Sequence, residues 1–259
     1  MPGSGPRRSL SVPRRFGVVL AFILAGAAAC TTPPGADDGP PAGPGGTIPS
    51  SLRIALTSSG SLDPAELDTP ESQLIADQIF DGLVGYDPGT GAVVPAVAET
   101  WDVRDGGRRF VFRLRGDATF HDGSPVTADR FVFAWNRLAD PGRAAPFAFL
   151  LESIAGYRAF HAELEAPSLT GVRAANPRTL EVQLTRPWPD FIAVLGHPAL
   201  SPLPASAEDA GFALQPVGNG PYRVATQAVP GSPVTLERHD AYHGPPAVVP
   251  NVVFAFHGT

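Results

Sequence analysis

Between Gln78 and Asn136 the chain sets short strand and helix signals between closely spaced turns, a pattern that predicts a mixed α/β fold. Residues 84–86 and 93–95 are brief apolar runs around Asp87-Pro88-Gly89-Thr90-Gly91, a hairpin-type connection. Residues 100–104 and 109–114 flank Asp105-Gly106-Gly107. In the second run Phe110, Phe112 and Leu114 alternate with Arg109, Val111 and Arg113, the period of a strand with one buried face. Asp122-Gly123-Ser124-Pro125 makes a turn. Thr127 is then expected to cap a helix over 128–138, with Asp129 at its positive end. Phe131, Trp135 and Leu138 form its apolar stripe.

The flanking segments follow the same grammar. Residues 52–57 read as a first strand and 70–80 as a helix. Further helices are expected over 147–164, 188–195 and 206–211. Further strands are expected over 171–174, 179–184, 222–228, 233–238 and 251–256. There is no internal repeat.

The first thirty residues read as an address. Arg7, Arg8, Arg14 and Arg15 precede the apolar run 16–29, which is too short to span a bilayer comfortably and ends in small residues. Cys30 follows at once and is the sole cysteine among 259 residues. Residues 1–30 therefore read as a signal peptide with a lipobox, Cys30 being the lipidated position, although Ala27 stands where that pattern prefers Leu. Ordinary signal-peptidase cleavage is the alternative. Residues 31–50 hold almost no large apolar side chain and read as a disordered Pro/Gly-rich tether. Residues 51–259 form the folded body. One cysteine excludes an intrachain disulfide. The net charge of −6, more negative still without the leading arginines, argues against nucleic acid as a partner.

No catalytic apparatus is legible. The G-x-S-x-G elbow of serine hydrolases is absent. Phe120-His121-Asp122 reads as a structural turn. His239 and His243 have a metal-ligand spacing, but Gly244-Pro245-Pro246 ends any helix there, so neither a metal nor another cofactor is expected. Candidate binding residues come from loops. Ser58, Ser59 and Gly60 follow the first strand, and polar strand-end loops often face ligand. The loop of Gly218, Asn219, Gly220 and Pro221 could bring backbone N–H groups close to a ligand. Trp188, between two prolines, could line a cleft.

Several short motifs occur in one order. They are Ile79-Phe80-Asp81-Gly82-Leu83, then Val94-Pro95-Ala96-Val97-Ala98-Glu99-Thr100-Trp101, then Phe112-Arg113-Leu114-Arg115. Phe120-His121-Asp122-Gly123 and Thr127-Ala128-Asp129 come next, followed by Thr179-Leu180-Glu181-Val182 with Pro187. Gly218-Asn219-Gly220-Pro221-Tyr222 and Asp240-Ala241-Tyr242 complete the series. Their order resembles the N-terminal lobe of the family 5 solute-binding proteins of ABC importers. The resemblance implies a periplasmic-binding-protein-like lobe: a mixed β-sheet with flanking helices and an inserted smaller subdomain, the second lobe being absent. Asn219 stands where the family more often has Thr. The implied protein is a non-enzymatic, extracytoplasmic lipoprotein, anchored to the outer face of the cell membrane or periplasmic. It takes peptides or another small solute and hands them to ABC permease subunits. In peptide-binding relatives the acidic residue that grips the peptide amino terminus belongs to the other lobe, so cargo identity does not transfer. The alternative is a single-lobe lipoprotein that docks on a membrane partner and traps nothing.

Overall fold

The computed structural model describes residues 49–257 except 59 and 230. The expected signal peptide, Cys30, residues 31–48 of the expected tether and Ser59 lie outside the described residues.

Strand β1 (Ser51–Leu56) pairs in parallel with β10 (Asn251–Phe256), so the first and last strands of the body lie side by side. Antiparallel partners β9 (Val234–Arg238) and β8 (Tyr222–Val224) complete a sheet of order β1-β10-β9-β8. The chain between β1 and β8 supplies everything else. Strands β2 (Val84–Tyr86) and β3 (Val93–Pro95) form the expected hairpin. Strands β4 (Ala98–Arg104), β5 (Arg109–Leu114), β6 (Val172–Asn176) and β7 (Thr179–Gln183) build an antiparallel sheet of order β4-β5-β7-β6. Phe110, Phe112 and Leu114 on β5 are buried as their alternation predicts, and Val111 is buried too.

Helix α1 (Pro70–Ile79) begins with a capping box. The Ser72 N–H donates to Thr69 Oγ1 at 3.1 Å, and the Thr69 N–H donates to Ser72 Oγ at 3.2 Å. Pro70 occupies the first helical position, where a missing N–H costs nothing. Helix α2 (Ala128–Ala139) buries Phe131, Trp135 and Leu138, each worth about 1.5–3 kcal/mol of transfer energy. The Trp135 indole N–H donates to the Leu200 carbonyl at 2.8 Å. Thr127 sits at the N-cap with extended backbone but makes no side-chain cap bond. Instead the Ala128 N–H donates to the Pro177 carbonyl at 2.8 Å, so the sheet loop satisfies the helix start.

Four segments differ from the sequence pattern. The expected helix over 147–164 is two separate turns, a 3₁₀ turn Ala148–Leu151 and a π turn Arg158–Ala162. Between them Ile154 bridges Leu184, the Ala155 N–H donates to the Gln183 carbonyl, and Gly156 adopts φ +86°. Pairing with the sheet edge wins over helix continuation. In 188–195 only α3 (Phe191–Val194) is helical, and the expected helix over 206–211 is a single 3₁₀ turn at Ala205–Glu208. Strand β8 ends at Val224, four residues before the expected limit.

Candidate functional site

The parallel pairing of β1 and β10 brings their carboxyl ends to one edge. Loops at that position of a parallel pair are the usual ligand side of an α/β sheet. The pairing continues one step further, since the His257 N–H donates to the Leu56 carbonyl at 3.0 Å. Ser58 and Gly60 leave β1 here, half-buried and exposed respectively.

This loop is braced on two sides. Gly60 has φ +49°, and a Cβ there would stand 2.7 Å from Ser72 Cβ, so the chain turns tightly over the start of α1. Thr57 Oγ1 donates to Glu71 Oε1 on the same helix. That bond holds the Glu71 carboxyl below its ordinary range. Ser61 Oγ donates to Glu66 Oε2 at 2.9 Å. Beyond it Asp63 is buried, accepts from the Ala65 N–H at 2.9 Å, and is gripped by Arg137 of α2 at 2.7 and 2.6 Å. Asp63 therefore anchors the base of the loop.

The Gly218–Pro221 segment is placed elsewhere. Gly60 packs on the N-terminus of α1, whereas Gly218 and Gly220 pack on Ile79 at its C-terminus. Ten helical residues separate these ends by about 15 Å. The glycines do serve a close approach, but to protein. A Cβ on Gly218 would lie 2.1 Å from the Ile79 carbonyl oxygen. The expectation that Gly218 and Gly220 offer free N–H groups to a ligand is corrected. The Gly218 N–H donates to His121 Nδ1 at 3.1 Å and the Gly220 N–H to the Ile79 carbonyl at 2.8 Å. Asn219 is fully buried and imitates a backbone pair. Its Nδ2 donates to the Asp81 carbonyl at 3.0 Å, and its Oδ1 accepts from the Asp81 N–H at 3.1 Å. Pro221 offers its carbonyl to the His239 N–H at 2.9 Å.

His121 is the clamp on this loop, a role its turn motif did not disclose. Its N–H donates to the Gly218 carbonyl at 2.8 Å, and its Nε2 lies 3.1 Å from the Gly220 carbonyl. Because Nδ1 accepts from an amide, the proton must sit on Nε2 and the ring is neutral. Burial, then the neighbouring His239 and Arg223, push its pKa down to about 4, against the upward pull of the Gly220 bond and of Asp122. The His239 ring meets it edge-on at 4.9 Å.

Trp188 forms a third group. It is half-buried and tilts against Phe191 at 5.8 Å, while Phe191 packs on Phe110 of β5. The candidate residues therefore divide among three places and form no single cluster. Sequence reasoning also missed Arg137. Its signal was a lone cation beside Leu138 at the end of an apolar stripe, opposite an Asp-Pro turn. Among the described residues no group of three or more His, Cys, Asp or Glu side chains could hold a metal ion.

Comparison with known proteins gives one consistent answer. Residues 92–258 match the family described as bacterial extracellular solute-binding proteins, family 5 Middle. Over 190 residues the chain is 40% identical to the periplasmic oligopeptide-binding protein OppA of Escherichia coli K12, a match covering 70% of this chain and 34% of the relative. Over 147 residues it is 42% identical to the probable deoxycholate-binding periplasmic protein YgiS of the same organism, covering 56% and 27%. The crystal structure of Haemophilus influenzae OppA in complex with the peptide RPPGFSPFR superposes with a TM-score of 0.72 at 28% identity, covering 81% of this chain and 43% of that one. The chain thus spans about a third of the length of these curated relatives. The fold is the mixed α/β lobe of such binding proteins.

Proposed function

Because the chain belongs to the bacterial extracellular solute-binding proteins of family 5, we propose that it is the first lobe of an extracytoplasmic substrate-binding component of an ABC importer. Its cargo is a peptide. Cys30 carries the lipid anchor, and residues 31–50 tether the lobe to the outer face of the membrane. The work is capture and not bond-breaking. Cargo settles on the strand-end face and stabilises a state closed by a second lobe, which permease subunits read.

The observation that carries this reading is the parallel pairing of β1 with β10. It sets Ser58, which follows β1, and the end of the last strand at one edge of the sheet. On this reading, backbone groups of the loop after β1 hold a peptide main chain in the manner of an added strand. The Gly218–Pro221 loop supports that edge from the far end of α1 without touching cargo. Trp188 is retained as a lining residue only for a cleft that reaches the second sheet.

The resemblance to a probable deoxycholate-binding protein favours one competing ligand, a bile acid. Thermal denaturation of the full chain with a pool of two- to five-residue peptides, and separately with deoxycholate, tests both. A saturable rise in melting temperature with peptides, abolished by Ser58→Trp, is expected. A rise with deoxycholate alone reassigns the cargo. No rise with either removes ligand capture from this chain and favours docking on a membrane partner as its role.

A further inference from the structure

Four places among the described residues set an Asp or Asn directly before a Gly: Asp81-Gly82, Asp105-Gly106, Asp122-Gly123 and Asn219-Gly220. Such a pair carries a reaction of its own. The Gly backbone nitrogen, with no Cβ beside it, is free to approach the side-chain carbonyl carbon of the residue before it and close a cyclic imide. The reaction needs a carboxyl or amide not already held, a backbone N–H not already donated, and room for the side chain to swing over the peptide plane.

The fold withholds these at three of the pairs. Asn219 is fully buried with its amide bonded to both backbone groups of Asp81, and the Gly220 N–H is given to the Ile79 carbonyl at 2.8 Å. Asp81 Oδ2 accepts from the Tyr242 hydroxyl at 2.5 Å. Gly82 is buried, and a Cβ there would stand 2.5 Å from the Leu195 carbonyl oxygen, so the space over that peptide is filled. Asp122 Oδ1 accepts from the Ser124 N–H at 2.9 Å and from Ser124 Oγ at 2.6 Å, while the Gly123 N–H donates to the Phe120 carbonyl at 2.9 Å.

Asp105-Gly106 differs on every count. Both residues are exposed at the tip of the turn between β4 and β5. The Arg104 carbonyl accepts from the Gly107 N–H at 3.0 Å and from the Arg108 N–H at 3.2 Å, so the turn closes without the Gly106 N–H. Neither that N–H nor the Asp105 carboxylate is bonded to any described residue. A Cβ on Gly106 would meet nothing within 4 Å.

We propose that Asp105 is a site of spontaneous backbone isomerisation, the one of these four pairs that the native fold leaves reactive. The Gly106 nitrogen bonds to Asp105 Cγ, a carboxyl C–O bond breaks, and the hydroxyl leaves with the amide proton as water. Water then opens the imide at either carbonyl. Opening at the former side-chain carbonyl restores aspartate. Opening at the former main-chain carbonyl leaves the chain running through Cβ, an isoaspartate with a free α-carboxylate. The turn is then longer by one backbone atom. Strand β5 is also paired with β7 and buries Phe110 and Phe112, so the change stays in the turn.

The experiment ages the full chain in warm neutral buffer, with and without denaturing guanidinium. Each pair is read by peptide mapping with electron-transfer fragmentation, which separates aspartyl from isoaspartyl linkages. In the native chain isoaspartate at Asp105 is expected to exceed that at each of the other three pairs by at least about tenfold. In denaturant the order is expected to invert, with Asn219-Gly220 the fastest, because an asparagine amide closes the imide faster than a carboxylate does at neutral pH. Asp105→Glu, which would need a larger ring, is expected to abolish the reaction at this position with the far-ultraviolet circular dichroism unchanged. Asp105→Asn is expected to speed it at least about tenfold, releasing ammonia in place of water. The proposal is overturned if native isoaspartate is spread evenly over the four pairs or is highest at another of them. An order that is the same with and without denaturant also overturns it, because the fold would then protect nothing. So does an Asp105→Asn chain that reacts no faster than the natural one.

Discussion

Arg137 donates to both carboxylate oxygens of Asp63, at 2.7 and 2.6 Å, with both side chains no more than 5% exposed. The pair ties the loop after β1 to the last turn of α2 across 74 residues of sequence. Arg137 also donates to the Ala207 carbonyl at 3.1 Å and to Glu208 Oε1 at 3.2 Å. Removing Arg137 leaves Asp63 charged, buried and without an ion partner, and removing Asp63 leaves the buried Arg137 only the half-exposed Glu208 as a counter-charge. Asp63→Ala is therefore expected to cost about 3–5 kcal/mol. The double change Asp63→Leu, Arg137→Met is expected to cost less than the sum of the single changes, because no orphaned charge remains. Urea denaturation of the three variants measures this. Equal, small effects for both single changes would show that the pair contributes little.

The packing of Gly218 against Ile79 makes a second prediction. A Cβ at 2.1 Å from a backbone carbonyl oxygen cannot be relieved by rotating a side chain, so α1 or the loop must shift. Gly218→Ala is expected to destabilise by about 3 kcal/mol, the upper part of the overpacking range. Gly211→Ala is the control, since a Cβ there meets nothing within 4 Å, and its effect should stay within about 0.5 kcal/mol. Thermal melts of both variants decide the matter. Matching melting temperatures would mean that the loop yields easily.

The same residues show what a sequence discloses. Phe131, Trp135 and Leu138 announced α2 because helical periodicity is local and each apolar side chain has one place to go. Phe110 and Phe112 announced β5 for the same reason. The stretch 147–164 misled because its helical character is also local, whereas the Ala155 bond to Gln183 that breaks it is a pairing with a distant strand. Gly218 and Gly220 were legible as positions of close approach, but not as to what approaches. Only the placement of α1 shows that the neighbour is Ile79 and not a ligand.

Asn219 carries a third prediction. Its amide replaces a strand neighbour for Asp81, satisfying one donor and one acceptor at once. Asn219→Ala leaves both groups of Asp81 without that partner and is expected to cost about 2 kcal/mol. Asn219→Asp keeps the acceptor for the Asp81 N–H but sets a second acceptor oxygen against the Asp81 carbonyl. It should therefore be the more damaging of the two at neutral pH, and should recover as the new carboxyl is protonated. Chemical denaturation at two pH values tests the ordering. An Asp variant as stable as the Ala variant at neutral pH would refute it.

Acid stability provides the last prediction. His121 is neutral in the fold with its pKa depressed to about 4, against about 6.5 in the unfolded chain. Between these values the unfolded state binds the proton and the folded state does not. This contribution to stability is therefore fully present above about pH 6.5 and declines as the pH falls toward about 4. The loss amounts to at most about 3 kcal/mol. Protonation would also place an N–H on Nδ1, facing the Gly218 N–H that now donates to it. The surrounding charges are Arg223 and His239, which oppose protonation, and Asp122, which favours it. His239 titrates in the same direction, while Asp77, with its carboxyl raised to about 6, works the other way over the same range. The comparison must therefore be between the natural chain and His121→Gln, which lacks the titrating group but keeps the others. The stability difference between the two is expected to be largest near pH 7 and to shrink by about one proton's linkage between pH 6.5 and 4. A difference that stays constant over that interval would mean His121 is already charged in the fold, and Nδ1 could not then accept from the Gly218 N–H.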